Sequence, residues 1–345
     1  MLKDILNQEQ LKVMQQLMTE SRTVVITCHT NADGDAIGSC LGLAEYLKAL
    51  GQEPVIIVPD QYPDFLLWMP NSEKIIRYDK HTEYADLLLK TADVIYCLDF
   101  NVPSRVGAME QQLVASPAKK VLIDHHLDPG VDAVLTVSHP EACSTCELVF
   151  RLVWQMGAFE QLDKHFATVI YCGMMTDTGG FTYNSNDPDI FFIISQLLTK
   201  HINKDRIYRN VYNNYSESRL RMMGYVLYER LTVDPLRHAS YYVLSRSDQK
   251  RFNFLKGDAE GLVNIPLQMK GHRLSISLRE DTEKENLVWV SLRSVDNFPC
   301  NKMAAEFFNG GGHLNASGGR LYCSLDEAVK TTQQAILNYE ELLKK

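Results

Sequence analysis

The stretch VVITCHTNADGDAIGSCLGLAEYLKAL, residues 24–50, decides the fold. Its first five residues, Val24 to Cys28, form a mostly apolar run of strand length with β-branched side chains leading it. From Ala36 to Leu50 the apolar positions recur at the helical period, which predicts a helix. Between strand and helix lies a loop dense in histidine and aspartate: His29, Asp33 and Asp35 within seven residues. Gly34 allows the backbone to turn sharply there, so that Asp33 and Asp35 can present their carboxylates at neighbouring positions. A plainer reading of the same loop has Asp35 capping a helix that starts at Ala36.

Outward from this unit the same succession recurs. The apolar run Val94 to Leu98 ends in Asp99, and Val121 to Ile123 ends in Asp124, His125 and His126. Val55 to Val58 reads as a further strand. Short apolar runs alternating with amphipathic segments predict an α/β fold, a mostly parallel sheet flanked by helices. Open sheets of that kind place their ligands beyond the carboxyl ends of the strands, so three strand ends bring their acids and histidines to one crevice. Helices are expected over Cys146 to Met156, His165 to Thr176, Ile190 to Leu198 and Arg219 to Arg230. Asp177, in MMTDTGGF, stands at the end of the second of these, where a helix C-terminus with a left-handed glycine is the plainer reading.

From about Leu231 the texture changes to alternation of strand period, in Ala239 to Leu244, Arg273 to Leu278 and Leu287 to Leu292, with a last helix from Leu325. This predicts a second, smaller α/β domain facing the first across a cleft. The expected division is residues 1–213 for the first domain, a linker at 214–235 that a helix is free to cross, and residues 236–345 for the second.

Composition narrows the function classes. The 345 residues are 45% hydrophobic, enough for real cores in two domains, and the formal net charge is -8. An acidic chain does not wrap long nucleic acid, because Lys and Arg must neutralise phosphates for that, so an anionic substrate must be captured locally. The segment MLKDILNQEQ lacks the apolar run of a secretory signal, and no stretch approaches the roughly 20 apolar residues of a membrane span. A cytoplasmic location without membrane contact is expected. The eight cysteines are scattered among apolar neighbours, as small core residues of a reducing compartment are. Cys143 and Cys146 form a lone C-x-x-C with no second pair to complete a zinc site.

Taken together, His29, Asp33, Asp35, Asp99, His125 and Asp177 offer four carboxylates and two imidazoles. That set suits borderline or hard cations, Mn²⁺ or Mg²⁺, better than a thiolate zinc site. Carboxylates gathered without cations would repel one another and take up protons. Two divalent ions about 3.5 to 4 Å apart would offset the charge and clamp the attacking and leaving oxygens of a phosphoryl group.

The runs HTNADGDAIGS, Asp99, Asp124-His125-His126, TDTGGF, SLRS (Ser291 to Ser294) and GGGHLNASG (Gly310 to Gly318) resemble the DHH phosphoesterase family with its associated C-terminal domain. The nanoRNase/pAp-phosphatase (NrnA-like) type is the nearest in length and domain order. The resemblance implies that His29, Asp33 and Asp99 bind one metal and that Asp35, Asp99, His125 and Asp177 bind the other, with Mn²⁺ first and Mg²⁺ or Co²⁺ as alternatives. It further implies that His126 faces the phosphate or leaving group with Asp124 behind it. Arg293, Ser294, Gly310, Gly311, Gly312 and His313 would hold substrate phosphate, and Arg105 is a weaker candidate. The implied substrates are short RNA or linear dinucleotides such as pApA, and pAp; cyclic-di-AMP is the alternative, and pyrophosphate is disfavoured by the GGGH segment. The chain is compatible with a homodimer. Ala32 stands where the family more usually has proline, which bears on loop stiffness and not on ligation.

Overall fold

The computed structural model describes residues 2–255 and 257–344, and the chain divides into two compact units, Met1–Asn214 and Tyr215–Lys345. In the first, six strands, β1 (Val24–Thr27), β2 (Val55–Val58), β3 (Ile76–Arg77), β4 (Val94–Leu98), β5 (Lys119–Asp124) and β6 (Leu135–Ser138), form one wholly parallel sheet in the order β3-β2-β1-β4-β5-β6. The helices are α1 (Gln8–Glu20), α2 (Gly34–Ala49), α3 (Thr82–Thr91), α4 (Glu110–Ala115), α5 (Thr145–Gln155), α6 (Lys164–Asp177), α7 (Pro188–Thr199) and α8 (Lys204–Tyr212).

The near-continuous apolar runs of β1 and β4, buried at every position, are what a sheet covered on both faces requires. Val24 and Ile26 point into the core shared with α2, α5 and α6, whereas Val25, Ile95 and Cys97 point into the core shared with α3 and α4. The strand order reverses between β1 and β4, the place where open sheets leave a crevice at the strands' carboxyl ends. Edge strands β3 and β6, of two and four residues, escape a search for long apolar runs.

One packing feature sets the position of the acids. Helices α2 and α6 approach so closely that a Cβ on Gly38 would lie 2.7 Å from the backbone oxygen of Val169, and one on Gly173 would lie 3.1 Å from Asp35 Cα as well as 2.2 Å from Cys146 Sγ of α5. Cys146, half of the lone C-x-x-C, fills the space between these glycines and is wholly buried, so its role is packing. All eight cysteines are free thiols.

The second unit holds α9 (Glu217–Tyr225), β7 (Leu231–Asp234), β8 (Ala239–Leu244), α10 (Arg246–Arg251), β9 (Leu274–Glu280), β10 (Val288–Ser294), α11 (Cys300–Phe307), β11 (Gly311–Gly312), β12 (Ala316–Leu321), α12 (Leu325–Asn338) and α13 (Glu340–Leu343). Its six-stranded sheet runs β11-β12-β10-β9-β8-β7 and is antiparallel except for the β8–β9 pair. Residues 214–235 contain α9, a turn of π-helix at Val226–Arg230 and the edge strand β7. Helices α11 and α12 pack on one face of the sheet through Met303, Ala304, Ala328 and Ala335. No helix among the described residues is long and apolar enough to cross a membrane.

Candidate metal centre

Each strand end delivers its side chain for a local reason. Asp33 caps α2: its Oδ1 accepts the N–H groups of Asp35 (3.0 Å) and Ala36 (3.1 Å). The helix therefore begins at Gly34, and Asp35, which was the alternative cap, is released to point inward from the first turn, fully buried. Asp99 follows β4 in the left-handed region, with φ 61°, a conformation that aspartate tolerates better than most residues. Its own N–H donates to Ile123 O at 3.1 Å, which ties the end of β4 to β5. Asp177 closes α6, and Gly179 and Gly180 at φ 54° and 74° carry the chain away. The helix-terminus reading and the inward carboxylate thus hold together.

The side chains converge around Asp99. Its Oδ2 lies 3.3 Å from His29 Nε2 and its Oδ1 lies 3.5 Å from His125 Nε2, so its two oxygens face two different imidazoles. His125 Nε2 also lies 3.3 Å from Asp177 Oδ2 and 3.9 Å from Asp35 Oδ2. Both histidines are oriented from behind: His29 Nδ1 sits 2.7 Å from Thr30 O, and His125 Nδ1 sits 3.2 Å from Ala142 O. With Nδ1 as donor to those carbonyls, Nε2 is the atom left to bind a cation. Donor atoms of His29, Asp33 and Asp99 lie within 4.8 Å of one another, and so do those of Asp35, His125 and Asp177.

The charges strain against their burial. For Asp35, burial and then the neighbouring Asp99 carboxylate push the carboxyl up to about 7. Burial and Asp35 push Asp177 in the same direction. Burial opposes the positive form of His29, yet the bond to Asp99 prevails and raises it to about 9. His125 moves the same way, burial again being outweighed by Asp99 and Asp177. Protons on these imidazoles supply the positive charge that the carboxylates require, and a divalent cation would supply it better. The donor set and its geometry fit divalent cations.

Beside this cluster, His126 Nδ1 lies 2.7 Å from Asp124 Oδ1, and the buried Asp124 Oδ2 has no hydrogen-bond partner among the described residues. Arg105 lies in the turn after β4, where its carbonyl accepts the N–H of Thr30 at 2.8 Å. One contact escaped the sequence reading. At the start of α5, Thr145 N (2.6 Å) and Cys146 N (2.8 Å) donate to Asp35, and Thr145 Oγ1 donates to Asp99 Oδ1 at 3.0 Å. Only the run Ser144-Thr145, an N-cap pair ahead of an apolar helix, marked it.

In the second unit, Arg293 is half-buried on β10, with Nη1 donating to Leu292 O at 2.9 Å. The Ser294 hydroxyl donates to Phe298 O (2.9 Å) and accepts from Asn315 Nδ2 (2.9 Å), so it braces a loop. Gly311 and Gly312 form β11, paired with Gly318 and Ser317. A Cβ on Gly310 would fall 1.9 Å from Gly318 O, and Gly310 N and His313 N donate to Ala304 O and Ala316 O. Close approach of the backbone accounts for Gly310 and Gly312 but not for Gly311, and the Gly310 N–H is already bonded inside the domain.

Residues 23–174 match the N-terminal domain of the DHH family. A solved structure of an exopolyphosphatase-related protein from Bacteroides fragilis is 51% identical over the whole of both chains, with a TM-score of 0.95. The bifunctional oligoribonuclease and PAP phosphatase NrnA of Thermus thermophilus is 28% identical over 91% of this chain and 89% of its own length. RecJ from Thermus thermophilus, solved in complex with Mn²⁺, shares the fold at 11% identity and a TM-score of 0.56, over 96% of this chain and 54% of RecJ.

Proposed function

The chain belongs to the DHH family of phosphoesterases, hydrolases acting on nucleotides, and from that premise we propose that it cleaves short oligoribonucleotides and linear dinucleotides such as pApA to mononucleotides and also dephosphorylates pAp. The observation that carries the reading is Asp99, whose two oxygens face two separate groups of donors. His29, Asp33 and Asp99 would hold one divalent ion, and Asp35, Asp99, His125 and Asp177 the other, Mn²⁺ before Mg²⁺ or Co²⁺. Two such ions supply Lewis-acid stabilisation of a phosphoryl group and make water more acidic.

The chain's own residues do the rest. Asp124 holds His126 by Nδ1 and so fixes the ring for proton transfer to the leaving oxygen through Nε2. Arg293 and the His313 imidazole take substrate phosphate, with Gly311, Gly312 and Arg105 as further contacts. Ser294 and Gly310 support these through the loop and strand pairing they hold. The net charge of -8 favours a short substrate over a long one.

The test is hydrolysis by metal-stripped protein, with Mn²⁺ restored or withheld, of pAp, pApA, a five-nucleotide RNA, a long RNA, cyclic-di-AMP, pyrophosphate and inorganic polyphosphate. Mn²⁺-dependent release of mononucleotides from the short linear substrates is the expected result. Faster opening of cyclic-di-AMP than cleavage of pApA would transfer the assignment to the cyclic dinucleotide. Rapid phosphate release from pyrophosphate or polyphosphate alone would end it.

A further inference from the structure

We propose that Thr145 is a positioning residue that sets the Asp35/His125/Asp177 half of the metal centre, by holding the Asp99 and Asp35 carboxylates at once; this rests on the two-metal reading above. The argument begins with α5. Ser144 is its N-cap, its hydroxyl accepting the N–H of Glu147 at 3.0 Å, and the helix start is thereby fixed. Thr145, next in line and fully buried, then turns two donors toward the centre. Its N–H reaches Asp35 Oδ2 at 2.6 Å and its hydroxyl reaches Asp99 Oδ1 at 3.0 Å. Cys146 N completes the hold on Asp35 at 2.8 Å.

Both carboxylate oxygens that Thr145 touches lie on the His125 side: Asp99 Oδ1 is the oxygen 3.5 Å from His125 Nε2, and Asp35 Oδ2 is 3.9 Å from it. Asp99 Oδ2, on the His29 side, receives nothing from Thr145. An ionised carboxylate oxygen offers about two lone-pair sites. The Thr145 hydroxyl occupies one site on Oδ1 and leaves the other directed at the cluster. The positive end of α5 adds to the hold on two anions that would otherwise repel each other.

The experiment is titration of metal-stripped, full-length protein with Mn²⁺, followed by calorimetry and by the electron paramagnetic resonance of free Mn²⁺. Thr145→Val removes the hydroxyl and keeps shape and N–H. We expect it to weaken one of the two Mn²⁺ ions by about 10–100-fold while the other stays within about 3-fold of wild type. Thr145→Ser should restore the lost affinity, and Thr145→Ala substitutes for valine if that variant does not fold. Ser144→Ala weakens the same helix start but keeps the Thr145 hydroxyl, and should lower thermal stability while costing Mn²⁺ affinity clearly less than Thr145→Val does. Wild-type binding of both ions by Thr145→Val, or an equal loss in Ser144→Ala, overturns the inference. Failure of the wild-type protein itself to bind two Mn²⁺ ions would instead overturn the two-metal reading.

Discussion

Replacing Gly38 by alanine tests whether the close approach of α2 and α6 holds the centre together. The added Cβ would lie 2.7 Å from Val169 O and 3.0 Å from Cys146 Sγ. A backbone oxygen inside a helix cannot rotate aside, so the two helices must separate. Overpacking a filled interior costs about 1–3 kcal/mol, and a rigid obstacle puts this case near the top of that range. Alanine returns about 1 kcal/mol of helix propensity over glycine. The net is destabilisation of about 2 kcal/mol, which for a body of this size lowers the midpoint by roughly 4–8 °C. Scanning calorimetry of the metal-free protein measures it, with Gly224→Ala as the matched control. Gly224 lies on α9, where an added Cβ meets nothing within 4 Å, and that variant should be stabilised by up to about 1 kcal/mol. Because Asp35 stands one turn before Gly38, Mn²⁺ affinity should fall in Gly38→Ala as well. A midpoint at or above wild type for Gly38→Ala would refute the argument.

Other perturbations separate catalysis, packing and charge. Asp99→Asn keeps a residue type that tolerates φ 61° but removes the charge, and Mn²⁺-dependent turnover should drop by at least about 100-fold. Near-normal turnover at saturating Mn²⁺ would remove Asp99 from its bridging role. Arg151 joins the buried Glu147 (2.7 Å) to Asp189 (3.2 Å), so Arg151→Met leaves a buried carboxylate without its cation and should cost about 3–5 kcal/mol by denaturant titration. Adding Glu147→Gln should recover part of that loss, and no recovery would show that the ion pair is not the cause. In the metal-free protein, His29 is raised from 6.5 to about 9, so the folded state binds its proton more tightly than the unfolded chain does. Its contribution to stability is complete below pH 6.5 and is lost as pH rises through about 9. The thermal midpoint of metal-stripped protein should therefore fall across that window, and Mn²⁺, which requires the neutral imidazole, should abolish the fall. An unchanged slope with Mn²⁺ present would mean that the ion does not reach His29.

The first unit was readable because its chemistry follows its topology. A parallel strand buried on both faces must be a continuous apolar run, and its carboxyl end must open on the crevice, so an acid or histidine directly after such a run is conspicuous in sequence. His29, Asp99 and the Asp124-His125-His126 run meet that condition, and the structure gathers all of them with Asp33, Asp35 and Asp177. Which aspartate caps α2 was not readable, since both Asp33 and Asp35 are competent caps and the choice falls to backbone geometry one residue upstream of Gly34. Thr145 was less readable still, because a threonine at a helix start has an ordinary local explanation and its partner Asp99 lies 46 residues away. The glycines of α2 carry information of the same kind: Gly34, Gly38 and Gly42 recur every four residues along one helix face, a spacing that marks a close approach only once α6 is known to lie against it.

The GGGH segment has two readings that sequence does not separate. Three successive glycines suggest a loop that wraps an anion; in the structure Gly311 and Gly312 also form one side of a hairpin, and Gly310 before them could not carry a side chain against Gly318. Pairing and binding both demand glycine, and sequence alone does not tell them apart. The distinction matters for substitution. Gly310→Ala must disturb β11 and β12 whatever the segment binds, so its loss of activity would carry no weight. Gly311, where an added Cβ meets nothing within 4 Å, is the position at which a methyl group leaves the hairpin intact and obstructs only what lies against the strand. A loss of affinity for a short substrate in Gly311→Ala, with thermal stability unchanged, would therefore count as contact between this strand and the ligand.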